Sequence, residues 1–205
     1  MSFREKVFVL KKVKYGEADL ILTVINSKGS KFGLLARGAA KSKKRFSGGI
    51  LEPTHYLDII YKNKDSKLGI IEEAHLIKDF HLLRLDYDRL SVALSLVDKV
   101  YRISQEGDIH GASLFNLLGN SLTTLEKISL AQHLNFIKMV IDLKILQIEG
   151  ILEEAPWMEP LIKKPLHLFS QWENLNSKEK GLLEFQPLVD HFMLNFLNMT
   201  QQLNH

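Results

Sequence analysis

The 205-residue chain contains no cysteine, which excludes disulfides and any cysteine-based zinc site. Its 5 prolines and 12 glycines are too few for a collagen-like or low-complexity chain. No stretch approaches the roughly 18 apolar residues that a spanning helix needs. The N-terminus MSFREKVFVLKK lacks the apolar core of a secretory signal, so a soluble, intracellular protein with no membrane partner is expected. Nucleotide loops of the GxxxxGK[ST] or GxGxxG kind are missing, as are GxSxG and HExxH. The histidines are scattered, with His75, His81, His110, His133, His167 and His191 each alone in its segment. Glu72–Glu73 and Glu153–Glu154 are adjacent carboxylates, but neighbours on a strand point to opposite faces and form no acid–base couple. The expectation is therefore no enzyme, with no catalytic residue, metal, cofactor or small-molecule substrate.

What is there is globular and unevenly charged. Apolar residues make up 45% and charged residues 25% of the chain, enough for a sizeable core. Residues 1–82 hold 16 Lys and Arg against 9 Asp and Glu, a balance of +7. Residues 83–205 hold 11 against 15, a balance of −4. That split points to a polyanion-binding front half and a differently employed back half.

The two halves also differ in period. FREKVFVLKKVKY alternates, with Phe3, Val7, Val9, Val13 and Tyr15 on one face and Lys6, Lys12 and Lys14 on the other. DLILTVINS, KFGLLARG, THYLDIIYKN and KLGIIEEAHLI complete five strands separated by short turns. Five such strands fit a small OB-type β-barrel; an SH3-like barrel satisfies the same alternation. From Tyr87 the period becomes helical. One stripe runs through Leu90, Leu94, Val97 and Tyr101, and a second through Leu114, Leu117, Leu118 and Leu122. A third runs through Leu134, Ile137, Ile141, Ile145 and Ile148, before a last helix opening at Pro187 with Leu188, Phe192, Phe196, Met199 and Leu203. The expected class is α+β in two domains, a basic OB barrel over 1–82 and an all-α domain over 83–205.

Between the third and fourth strands lies ARGAAKSKKRFSGG, with Arg37, Lys41, Lys43, Lys44 and Arg45 and no acid. Gly38, Gly48 and Gly49 give its backbone freedom to follow a curved partner. Five phosphate contacts on a single strand would give log affinity a slope of about −3.5 against log salt. Lys11, Lys12 and Lys14 extend the basic surface, and Tyr15, Phe46, Tyr56 and Tyr61 are the aromatics available to stack bases. Phe46, beside the cations, is the least core-like of these, and it reads equally as a ring that stacks a base and as an anchor of the loop on the barrel. A solvated loop explains the same charge, and charge alone does not separate DNA from RNA or acidic lipid.

The order VFVLKKVKYGEADLILTVINSKGSKFGLLARGAAKSKKRF, followed by LEPTHYLDIIY, resembles the N-terminal domain of the bacterial DNA repair protein RecO family. The resemblance rests on Tyr15-Gly16-Glu17 with Asp19, on Ala36-Arg37-Gly38-Ala39, on the basic loop, and on Leu51 and Pro53. It implies an OB domain followed by a helical one, acting in recombination in the cytoplasm, on the nucleoid. The implied activities are binding single- and double-stranded DNA, annealing complementary strands, and helping RecA load onto strands covered by single-stranded DNA-binding protein (SSB). The implied partners are RecR and the C-terminal tail of SSB, the latter on the helical domain, where Arg102, Lys138 and Lys144 are candidate cations. Many family members carry a four-cysteine zinc site that this chain lacks. Pro156, Trp157, Met158, Pro160 and Leu161, within Ile151 to Trp172, are expected to replace it by apolar packing. The other readings are an RNA-binding or translation-associated OB protein and a non-catalytic scaffold whose basic loop grips an acidic protein tail.

Overall fold

The computed structural model describes residues 2–42, 45–46, 49–62, 68–105, 111–152, 155–171, 173 and 175–203. The chain packs into two compact units, Met1–Phe80 with Leu96–Phe115, and His81–Ser95 with Asn116–His205. In the first, β1 (Ser2–Tyr15), β2 (Asp19–Asn26), β3 (Lys31–Ala36), β4 (Tyr56–Lys62) and β5 (Gly69–Lys78) form the sheet. The strands close into a barrel in the order β1-β2-β3-β5-β4. All pairs are antiparallel except β3 with β5. A simple up-and-down run would leave β3 beside β4; this order is the OB type.

One long strand serves two neighbours. The first half of β1 pairs with β4 from Ser2↔Lys62 to Phe8↔Tyr56, and its second half pairs with β2 down to Tyr15↔Asp19. The register slips by one between Val9↔Val24 and Lys11↔Thr23, a bulge at Leu10 that bends the strand around the barrel. A one-residue slip exchanges the two faces of everything beyond it. Val7 and Val9 therefore lie in the barrel core, whereas Val13 and Tyr15 are exposed. Lys12 and Lys14 instead sit opposite Leu22 and Leu20, on the inward-facing row. The single face expected through Phe3, Val7, Val9, Val13 and Tyr15 is thus broken by the bulge, and Phe3 at the far end is exposed as well.

The outer side of β1 builds a second apolar layer. Phe8 stacks on Tyr56 at 4.7 Å and meets Phe80 and Phe115 at 6.2 Å and 5.0 Å between ring centroids. Lys31 Nζ donates to Tyr101 O at 2.7 Å near the C-terminal end of α1 (Tyr87–Ile103), where exposed carbonyls and the helix dipole favour a cation. At the β2–β3 turn Asn26 Oδ1 accepts from the backbone N–H of Lys28 and of Ser30, both at 3.0 Å. Gly29, at φ +87, comes so close to Gly111 that a Cβ on either residue would strike the other's backbone.

The helical unit contains α2 from Asn116 onward (Gly111–Leu125), α3 (Ala131–Ile148), α4 (Glu159–Lys163), α5 (Ser177–Gly181) and α6 (Gln186–Leu203). α3 is its centre, with Leu134, Phe136, Ile137, Met139, Val140, Ile141, Leu143, Ile145 and Leu146 all buried, as expected of a helix apolar all round. On α6 the buried residues are Val189, Met193 and Phe196, while Leu188, Phe192 and Met199 are exposed. Phe196 of the expected stripe is buried, but Val189 and Met193 take the inward places expected of Leu188 and Phe192; Asp190, next to Val189, binds Lys138 of α3 at 2.5 Å. On α1, likewise, Ala93, Leu96, Val97 and Val100 are buried and Leu94 is exposed. No helix among the described residues is long and apolar enough to cross a membrane.

Two stability predictions follow from these contacts. Gly29→Ala must create both a strained φ and a backbone clash, so urea unfolding should show a loss of at least about 2 kcal/mol. Gly16→Ala, at φ +59 with nothing within 4 Å of a Cβ, should cost only about 1 kcal/mol. His133 is 3% exposed and its Nε2–H donates to Phe169 O at 2.6 Å. Burial holds its pKa below the ordinary range, opposed by that hydrogen bond and by Glu173. The fold thus favours the neutral ring. Its contribution is fully present above the unfolded value of about 6.5 and is lost as pH falls through the folded value. Thermal melts from about pH 7.5 to about pH 5 should show a steeper loss of stability for the parent than for His133→Gln.

Candidate nucleic-acid interface

The basic segment begins where β3 leaves the barrel. Ala36 is buried, Arg37 is exposed, and Gly38 turns the chain with φ 67. Gly38 N–H donates to Asp19 Oδ1 at 2.7 Å, and Ala40 N–H donates to Ala18 O at 2.8 Å. The β1–β2 turn and the start of the basic segment are thereby one piece. A 3-10 turn over Ala39–Lys41 follows. Ser42 Oγ then accepts from the backbone N–H of Arg45 at 3.1 Å and of Phe46 at 3.2 Å. Past Gly49, Leu51 enters the barrel core, and Thr54, buried at φ 80, donates its N–H to Val9 O at 3.1 Å. That bond lies next to the β1 bulge.

The nine residues expected to meet DNA separate into distinct environments. Phe46 is 4% exposed and packs with Ala39 and Leu51 in the barrel core. It anchors the loop and does not project from the surface as a stacking ring. Arg45 lies over the Phe46 ring at 4.6 Å and donates to Arg37 O at 3.0 Å, so it clamps the loop more than it projects charge. Lys12 pairs with Glu52 at 2.5 Å. Lys11, beyond the bulge, faces the other way, with its ammonium 4.8 Å from the centre of the Tyr101 ring. Lys43 and Lys44 lie outside the described residues. Arg37 and Lys14 are exposed, and neither side chain has an ion pair or hydrogen bond among the described residues. Lys41 has a 3.9 Å ion pair with Glu17, both side chains largely in water, which holds it weakly.

The register puts Lys14 and Arg37 at one end of the barrel, and Lys41 follows Arg37 in the adjoining 3-10 turn. Lys14 pairs with Leu20, Leu20 with Ala36, and Arg37 follows Ala36. Tyr15, at 56% exposure, stands at the same end. Tyr56 is stacked on Phe8 and Tyr61 is buried, which leaves Tyr15 as the available ring of the four. Sequence reading missed the anchoring roles of Asp19, Ser42, Glu52 and Leu51. The serine was the readable signal, standing three and four residues before the amides it accepts from.

Residues 1–80 match the family described as Recombination protein O N terminal. The first eighty residues are therefore similar to the N-terminal domain of the RecO family. Over 205 residues it is 29% identical to the DNA repair protein RecO of Alkaliphilus metalliredigens, covering 99% of this chain and 79% of that one. It is 36% identical over 121 residues to that of Syntrophus aciditrophicus, covering 58% of this chain and 46% of the other. With that of Salinibacter ruber it shares 32% over 106 residues, 51% of this chain and 40% of the other. Against the last two the match spans less than half of the relative's length.

In this chain the segment after α3 is held by packing. Met158, Leu161, Ile162, Leu166 and Phe169 are buried, and Trp157 stacks on Phe185 at 4.3 Å. Pro156 and Pro160 are exposed and add little to that packing. Among the described residues no group of three or more His, Asp or Glu is placed to hold a metal ion. The candidate cations of the helical region are engaged internally. Arg102 pairs with Asp98 at 2.8 Å, Lys138 binds Asp190, and Lys144 donates to Ile162 O and Lys164 O at 2.5 Å and 2.9 Å. An apolar cavity of about 400 Å³ does open in the helical unit, between Leu146, Ile151, Trp157, Met158, Leu188 and Phe192.

The Asp19 carboxylate is the tie between turn and loop. Asp19→Ala removes a charge-assisted bond worth about 1.5–3 kcal/mol. Amide hydrogen exchange should accelerate at Gly38 and Ala40, while the amides of the β1–β4 ladder stay protected.

Proposed function

We propose that the chain acts in DNA repair by recombination as a non-catalytic, backbone-binding protein that holds and anneals DNA strands. The observation that carries this reading is the group of exposed cations, Arg37, Lys14 and the weakly held Lys41, at one end of an OB barrel similar to the N-terminal domain of the RecO family. Such cations bind phosphate without reading base edges, so they neutralise two strands and leave their bases free to pair. Tyr15 supplies the stacking face that single strands need and duplexes do not. Lys43 and Lys44, in the same segment by sequence, add to the charge.

The reading extends to loading of RecA on SSB-covered strands and to partnership with RecR and the SSB tail. The apolar cavity of the helical unit supports the docking of a short apolar-ended tail there. It does not support Arg102, Lys138 or Lys144 as the cation that would meet the tail's carboxylates.

Binding of a labelled single strand, titrated against salt, tests the interface. Replacing Lys14, Arg37 and Lys41 together by Ala should weaken binding at low salt by an order of magnitude or more and reduce the salt slope by about 2. Tyr15→Ala should weaken single-strand binding about fivefold and leave duplex binding intact. An unchanged affinity and slope in the triple variant would remove this end of the barrel as the DNA site. Annealing of complementary oligonucleotides with and without bound SSB tests the whole assignment, and acceleration in both cases is expected. Failure to bind any oligonucleotide at moderate salt would favour an acidic protein tail as the partner. Equal annealing of RNA would favour the broader nucleic-acid reading.

A further inference from the structure

Beneath the basic connection lies a cavity of about 330 Å³, at the small end of ligand pockets, which span roughly 300–1,000 Å³. Its apolar lining comes from Leu20, Ala39, Ala40, Phe46 and Leu51. Ala39, Phe46 and Leu51 are themselves part of the barrel core, so this wall is fixed before any ligand arrives. The polar lining includes Lys12 and Glu52, paired at 2.5 Å with side chains 29% and 38% exposed. Lys41 ends the 3-10 turn that supplies Ala39 and Ala40 to the wall.

We propose that this cavity receives one unstacked nucleobase of a bound DNA strand, and that guanine fits it best; the proposal rests on the DNA-binding reading above. The lining selects the ligand class by exclusion. A phosphate or carboxylate placed inside would face the Glu52 carboxylate, and an amine would face the Lys12 ammonium. A neutral planar ring carrying both donors and acceptors satisfies both groups and buries its faces against the apolar wall. Guanine offers two adjacent N–H donors, N1 and N2, to the two oxygens of Glu52, and its O6 accepts from Lys12. Thymine has one N–H and no amino group, and so leaves part of Glu52 unmatched. To admit a base the Lys12–Glu52 pair must part, and a half-exposed ion pair of this kind resists that only weakly.

The geometry also assigns a division of labour along the strand. Phosphates flanking the captured base meet Lys41 and Arg37, while the base itself leaves the stack. Paired bases cannot enter without being extruded, so the site distinguishes single strands from duplex. One captured base per protein fixes where the strand is held and leaves the remaining bases free to find a complement.

The test uses the intact protein and fluorescence anisotropy with three probes. They are a thymidine strand of about twelve nucleotides with one central guanine, the same strand with an abasic site in its place, and a duplex of equal length. The guanine strand should bind about tenfold more tightly than the abasic strand. Ala40→Phe, which fills the cavity from an exposed position, should abolish that difference and leave abasic-strand and duplex binding unchanged. Free dGMP at about 1 mM should remove only the guanine-dependent increment. Equal binding of guanine and abasic strands by the parent protein, with a normal salt slope, would overturn the pocket and leave the DNA-binding reading standing. Displacement of every strand by dGMP would make the occupant a free nucleotide and overturn the proposal as well. If none of the probes binds, the DNA-binding reading itself is lost.

Discussion

The burial of Phe46 and Leu51 in the barrel is the interaction on which the functional end of this protein depends. A closed barrel needs apolar side chains to fill its end, because a void forfeits dispersion contacts and an unpaired polar filler costs more still. Here the fillers come from the same connection that carries the cations. Arg37, Lys41 and Arg45 are strung between the anchors Ala36, Ala39 and Phe46, so the apolar packing sets where the charges stand. The ordering entropy of that segment is lost on folding rather than on binding. A basic loop without such anchors would carry equal charge and less preorganisation.

The electrostatics follow from this arrangement. Arg45 lies on its own anchor ring and on the loop carbonyl of Arg37, Lys12 is held by Glu52, and Lys11 lies against Tyr101. Counting cations along the sequence therefore overstates the charge available to a partner. Those left over share one end of the barrel because the β1-β2-β3 register brings Lys14 and Arg37 to the same edge. The turn at Asp19 then locks that edge to the loop.

Much of this fold was legible in the residues, and the exceptions have physical causes. Alternation located all five strands to within two residues or so, and the helical period located α1, α2, α3 and α6. Alternation could not reveal the bulge at Leu10, since a bulge leaves no mark in a run of apolar residues. The faces read for Lys12, Val13, Lys14 and Tyr15 were consequently the wrong ones. On α6 two apolar stripes lie side by side, and the choice between them is made by packing against α3, which the period of α6 alone does not carry. Phe46 shows the same limit at the site: an aromatic among cations reads equally as a stacking ring or a plug, and only the tertiary fold decides. Ser42 carried a local signal, its amides lying three and four residues on, whereas Asp19 was visible only as a residue type, because its partner is the distant amide of Gly38.

The outer apolar layer of the barrel bears on the order in which the chain is made. Phe8, Tyr56 and Phe80 are contributed by the first eighty residues, but the ring that covers them, Phe115, arrives much later. The same unit draws on Leu96–Phe115 in addition to Met1–Phe80. During synthesis the five strands leave the ribosome well before this cover, and the nascent barrel presents an uncovered aromatic surface for as long as translation takes to reach α2. A fragment ending at residue 80 would lack the Phe115 ring that packs on Phe8 and Tyr56 and would leave that aromatic face exposed.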